Sequence, residues 1–311
     1  MHPAPSLVLF TVLSGAGYGL LVLLGLAAAT GLADAATASW GAGGVAAGLV
    51  LVTAGLLAST AHLGHPERAW RALSQWRSSW LSREAVAAVV TYVPALGLLA
   101  AWTFGAGPIR ILGLAAAAGA LATVLCTAMI YASLRPIARW HSPWVPATFL
   151  GLAIAGGAPL AWLAKALAGE GSSAAPGVVA LAAILAWTVK LLAWRGTDRA
   201  QAAADAGTAT GLGRVRLVEP PHSMDNYLTR EMGFRVARQH RVRLRWLAVL
   251  LGGLAPLLLA LLALTVMRGA ATPALAAAAA AATILGTLVE RWLFFAEARH
   301  TVTLYYGAET A

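Results

Sequence analysis

One cysteine, Cys126, stands in a chain of 311 residues. A single thiol cannot close an internal disulfide, and an iron–sulfur cluster takes about four cysteine ligands, so the chain holds no cluster of its own. Its thiol reads as a small buried apolar group. Charge is scarce as well: Asp, Glu, Lys and Arg make up 11% of the residues, against about 25% in soluble domains. Eight windows lack charge altogether: 1–33, 35–66, 85–109, 111–134, 140–164, 171–189, 246–267 and 269–289. A bilayer core takes about 20 apolar residues per spanning helix. Each window can hold one, 171–189 being the tightest. Hydrocarbon offers backbone groups no partner, so spans of this kind are helices. The reading is an all-α membrane protein, an eight-transmembrane-helix bundle that forms a single integral membrane domain over 1–311.

Histidine is missing from the span interiors. His2, His62, His65, His141, His222, His240 and His300 all lie at span ends or in loops. A membrane haem needs axial ligands that project into the bundle from helix interiors, so no haem is expected. No His/Cys spacing matches a zinc site, so no metal is expected either. The span midplanes also lack Asp and Glu, which argues against a secondary transporter, whose coupling groups sit at that depth. Lys165 and Lys190 lie near span ends, where they can snorkel to the surface.

The expected spans are 7–30, 42–62, 84–105, 110–133, 146–166, 176–194, 246–267 and 270–290. The first is too long for the apolar region of a signal peptide, and no Lys or Arg precedes it. An even count puts both termini on one face. The loops and tail on that face hold 18 of the 22 basic residues, and the other face holds only Arg110, Lys165 and Arg268. Basic residues favour the cytoplasmic side, so both termini are expected in the cytoplasm and the protein in the cell inner (plasma) membrane. The net charge of +10 follows from this asymmetry. No basic groove interleaved with aromatics suggests nucleic acid.

One loop, 197–243, is long enough for structure outside the membrane. Its opening, DRAQAAADAGTATGLG, reads as a flexible linker. The double proline that follows marks an extended turn. From Asn226 onward, Tyr227, Met232, Phe234 and Val236 alternate with arginines, as in an amphipathic helix against the membrane lipid or a partner. Arg71, Arg77, Tyr227, Arg230 and Arg235 are the candidate docking residues, the alternative being a headgroup-anchored connector.

The densest polar cluster is AHLGHPERAWRALSQWRSSWLSREA at 61–85. Gly64 and Pro66 break the helix after His62, and Ser82 and Glu84 begin the next one. Trp70, Trp76 and Trp80 suit a membrane interface. Taken singly, Glu84 suits a helix N-terminus and His62 a loop hydrogen bond. Together they place a neutral base and a carboxylate at one membrane surface. Oxidising a quinol releases two protons with two electrons. A histidine can accept a hydrogen bond from the quinol hydroxyl and take its proton, and a carboxylate at the rim can pass it to water. His65 and Arg68 lie beside this pair, and Arg68 can hold a quinone oxygen or orient Glu84 by a charge-assisted hydrogen bond.

At this cluster the chain resembles the dimethyl sulfoxide reductase membrane-anchor family. HLGHPERA at 62–69 is similar to that family's HLG-x-P-x-RA, and LSREA at 81–85 to its LS-x-E. Arg291 followed by Phe294–Phe295 is similar to its Arg and paired aromatics near the last span. The resemblance implies an anchor subunit without metal or haem. Such an anchor holds a molybdopterin catalytic subunit and a four-cluster ferredoxin-like iron–sulfur subunit at the membrane. It oxidises menaquinol or another quinol and passes the electrons to the nearest cluster, with His62 and Glu84 implicated in the quinol site. A passive anchor with no quinol site is the competing expectation. The 197–243 loop is longer than in the best-known members.

Overall fold

A computed structural model shows how these windows pack. It describes residues 3–32, 38–61, 63–170, 174–213, 215, 218–219, 236–265, 272–306, 308 and 310. Among them there is no strand, and eight helices are long and apolar enough to cross a membrane. They are α1 (Pro5–Thr30), α2 (Ala38–Thr60), α3 (Trp80–Phe104), α4 (Ile109–Ala132), α5 (Trp144–Leu167), α6 (Ala174–Ala203), α7 and α8 (Thr272–Ala296). The seventh runs as Val236–Val249, a π-helical turn at Leu250–Leu254, and Ala255–Thr265. All eight windows are occupied as expected.

Local chemistry sets the ends. Pro5 opens α1, where a missing N–H costs nothing. Gly31 closes it at φ +78°, a left-handed position that suits glycine. The Ser79 hydroxyl caps α3 by accepting from Ser82 N–H. Pro94 and Pro159 lie inside α3 and α5, a placement that bundled membrane helices tolerate.

The most enclosed span is α1, which packs against α2, α4, α5 and α8. Small residues permit this. A Cβ on Gly19 would lie 1.7 Å from the Ala153 carbonyl oxygen of α5, so only glycine allows the two backbones to meet there. The π-helical turn of α7 sets Gly252 against Gly286 of α8 in the same way: a Cβ on Gly286 would lie 2.1 Å from Gly252 N.

Neighbouring spans run in opposite directions. The start of α3 meets the end of α4 at Glu84 and Thr127. The ends of α6 and α8 meet at Lys190 and Glu290, and the start of α7 reaches the end of α8 at Arg245 and Glu297. The start of α1, the end of α8 and the large loops therefore share one face, termed here the terminal face.

Two boundaries differ from the sequence reading by nine residues or more. Helix α6 runs to Ala203, nine residues past the expected end at 194, so Arg195, Asp198 and Arg199 are helical. The window ended at its first charges, but Asp198 and Gln201 gain a partner in Arg139 of the α4–α5 loop, which carries the helix beyond the apolar stretch. The opening of the 197–243 loop is accordingly not a linker through Thr210. Asp205 caps a short helix, Ala206–Thr210, by a capping box with Thr208, and the Thr208 N–H holds its carboxyl below the usual range. Helix α7 begins at Val236, ten residues before the expected 246.

Candidate functional site

The polar interior gathers at the terminal face. Glu84 lies one turn into α3 and is 5% exposed. The Thr127 hydroxyl of α4 donates to its Oε1. Two turns deeper, Thr91 and Thr123 join α3 and α4 by a hydroxyl–hydroxyl contact of 3.2 Å. Thr123 and Thr127 are four apart and Glu84 and Thr91 seven apart, so helical periodicity lays these groups along one seam. Glu84 is thus an interior group of the α3–α4 interface and not an open rim carboxylate.

A second cluster joins α6 to α8. Lys190 and Glu290 form an ion pair, and Arg291 Nε also donates to Glu290. All three side chains are buried. The expectation that Lys190 snorkels is therefore overturned: its ammonium turns inward to a carboxylate, because Glu290 satisfies it inside the bundle. The Arg291 guanidinium lies 4.1 Å over the Phe149 ring and 5.1 Å from that of Phe294. These rings belong to an aromatic group with Tyr131, Trp140 and Phe295, and Trp140 Nε1 donates to the Phe294 carbonyl at 3.0 Å. The Arg291 and paired-phenylalanine motif read from the sequence is thus the wall of a buried charged site.

A third cluster reaches the surface. Arg139, in the loop between α4 and α5, donates to Asp198 at 2.8 Å, to Gln201 at 2.9 Å and to Glu297. Arg245 binds the same carboxylates, at 2.7 Å to Asp198 and 2.7 Å to Glu297. Two arginines and two acids thereby tie together a loop and the ends of three spans. Such shared, hydrogen-bonded geometry suits arginine's planar fork.

Two small cavities adjoin these clusters. One, of about 20 Å³, is lined by Thr11, Ser14, Tyr18, Thr127, Thr287 and Arg291 among others. The other, also of about 20 Å³, is lined by Arg139, Thr148, Lys190 and Glu297 among others.

The residues singled out in the sequence fare unequally. His62 lies outside the described residues, as do His2, His222, Tyr227, Arg230 and Arg235, and with them most of the expected amphipathic segment. His65 is exposed, with Nδ1 3.0 Å from Glu67. Arg68 is exposed and sits 3.6 Å from Glu67; Glu84 is bonded to Thr127 instead. Arg71 and Arg77 are exposed on or next to the 3-10 helix Pro66–Gln75 and lie over the rings of Trp70 and Trp76 at 5.7 and 5.3 Å. Arg83 anchors this stretch to α3 by donating to the Trp76 and Arg77 carbonyls. Thr127, Lys190, Glu290, Asp198 and Glu297 were missed. The sequence signal for Glu290 was an acid at the very edge of the last apolar window. Among the described residues no group of three or more His, Cys, Asp or Glu is placed to hold a metal.

A multispan helical bundle with its charges gathered at one end is the architecture of a membrane subunit. Over residues 1–307 the chain matches the DMSO reductase anchor subunit (DmsC) family. It is 34% identical over 326 aligned positions to a sulfite dehydrogenase subunit of Allochromatium vinosum, across 98% of this chain and 99% of that protein. The chain belongs to the DMSO reductase anchor subunit family and is a membrane anchor subunit of a redox enzyme complex.

Proposed function

We propose that this anchor is quinol-reactive. It takes two electrons and two protons from menaquinol or a similar membrane quinol. The electrons pass to a four-cluster ferredoxin-like iron–sulfur subunit and on to a molybdopterin catalytic subunit. The terminal face lies toward the cytoplasm of the inner membrane, because the arginines crowd there. The chain itself needs no haem or cluster for this, since the quinol is its substrate.

The single observation that carries the reading is Glu84, a carboxyl enclosed at the α3–α4 seam with Thr127 as its partner. A carboxyl in that position serves proton exchange better than packing. His62, two residues beyond α2 in the chain, is assigned the quinol hydroxyl and its proton. Glu84 takes the proton onward. His65 and Arg68 flank the approach, and Arg68 can offer a donor to a quinone oxygen. Arg71 and Arg77, exposed beside their tryptophans, together with Tyr227, Arg230 and Arg235, form the docking surface for the iron–sulfur subunit.

The test uses the purified complex. Glu84→Gln and His62→Ala should each lower quinol-linked turnover about 100-fold or more, the scale of a lost acid–base group. Turnover driven by a soluble artificial donor should be unchanged. Unimpaired quinol turnover in both variants would leave a passive anchor.

A second reading reverses the flow. The relative is named as a subunit of a sulfite dehydrogenase, and an anchor in a complex that oxidises its substrate would reduce quinone at the same site. Rates measured in both directions with the same complex separate the two.

A further inference from the structure

Glu84 raises a problem of access. It is 5% exposed, so a proton placed on it has no direct contact with bulk water. The Thr127 hydroxyl, its partner, lines the first cavity. Two buried polar atoms on that cavity, Arg291 Nη1 and Arg291 Nη2, have no hydrogen-bond partner, and the Tyr18 hydroxyl lines it as well. Buried polar groups are satisfied in the great majority of cases. A cavity of about 20 Å³ with such polar atoms on its wall is large enough for an ordered water. Ser14, Thr11 and Thr287 add hydroxyls to the same lining.

Of the charged triad, Arg291 forms part of this cavity's wall. Arg291 lines the first cavity, Lys190 lines the second, and Glu290 is bonded to both. The second cavity is bounded by Arg139 and Glu297, whose network includes Asp198, 31% exposed at its side chain. Three ionic or acidic stations are thus separated by two water-sized cavities, all at one end of the bundle.

We infer that these elements form an internal proton route from Glu84 to the Asp198–Glu297 surface cluster, with ordered water in both cavities. The inference rests on the proton-exchange role proposed for Glu84. Each step moves one proton: an O–H or N–H bond at the giver breaks as one forms at the receiver, and no electron travels with it. The Thr127 hydroxyl accepts from Glu84 and hands its own proton to the first cavity. Arg291 stays protonated and orients the water there, as a positioning residue. A water in the first cavity gives its proton to Glu290 past the Arg291 side chain, Glu290 gives one to Lys190 as the Lys190 ammonium releases an N–H proton to the second cavity, and water there delivers that proton to Glu297 and Asp198. For quinone reduction the same stations work in reverse.

The measurement is hydrogen–deuterium exchange at the Glu84 carboxyl. It is followed by the infrared band of the protonated group in the purified complex, with the band identified by its loss in Glu84→Gln. The working pH is chosen from an acid titration of that band. Thr127→Val removes the first hydroxyl at constant shape. Gly15→Leu adds a side chain at a cavity-lining position where the first added carbon meets no atom within 4 Å. Thr148→Ile fills the second cavity. All three should slow exchange about tenfold or more, while Thr103→Ala, exposed at the opposite end of α3, leaves it unchanged. Exchange unaffected by the three interior changes overturns the route, as does exchange slowed equally by Thr103→Ala. Slowing by Thr127→Val and Gly15→Leu with no effect of Thr148→Ile overturns its passage to Asp198. Slowed exchange in a complex with no quinol-linked activity would keep the route and remove the quinol reading. Normal quinol activity with unaffected exchange would do the opposite.

Discussion

Lys190 of α6 and Glu290 of α8, a hundred positions apart in the chain, form an ion pair with side-chain exposures of 5% and 0%. Arg291 adds a second cation to the same carboxylate. Removing one partner of a buried pair leaves an uncompensated charge, which costs about 3–5 kcal/mol. Glu290→Gln, which leaves two buried cations, should destabilise the bundle by about that amount, read as the midpoint of unfolding in mixed detergent, and Lys190→Met, which leaves the Glu290–Arg291 pair, should cost clearly less. A loss below about 1 kcal/mol in Glu290→Gln would show that the pair is solvated, on the scale of exposed ion pairs.

The Arg139–Asp198–Arg245–Glu297 network fixes the terminal ends of α6, α7 and α8. Arg245→Met removes the donors that reach both carboxylates and should raise the rate of limited proteolysis in the 197–243 loop. Cleavage between α3 and α4 is the internal control and should not change.

Arg71 and Arg77 carry no interior bond and lie exposed over tryptophan rings. Reversing both to Glu should leave the anchor in the membrane while the soluble redox subunits are lost on mild-detergent purification. Retention of the full complex would assign these residues to the lipid surface instead.

Reporter fusions at Ala311 and within 172–175 should report opposite sides of the membrane, the first in the cytoplasm. A periplasmic C-terminus would move the terminal face, and the whole polar interior with it, across the bilayer.

A Soret band is not expected in the pure chain, since its histidines lie away from span interiors. Absorption that stays stoichiometric with the chain through purification would refute this.

Much of the fold was legible in the order of residues alone. Whether a segment partitions into hydrocarbon depends on a local sum of side-chain transfer energies, so the charge-free windows located all eight spans. The same sums placed the charges at one end and marked 61–85 as the densest polar cluster. What they could not supply was depth. Glu84 looked like a rim carboxylate because it begins a span, and Lys190 looked free to snorkel because it ends one. Each is buried because another helix presents a partner, Thr127 in one case and Glu290 in the other. Likewise α6 outruns its apolar window because Arg139 and Arg245 hold Asp198. Composition determines which segments enter the membrane; only packing decides which of their end charges face water and which face each other, because that depends on neighbours far away in the chain.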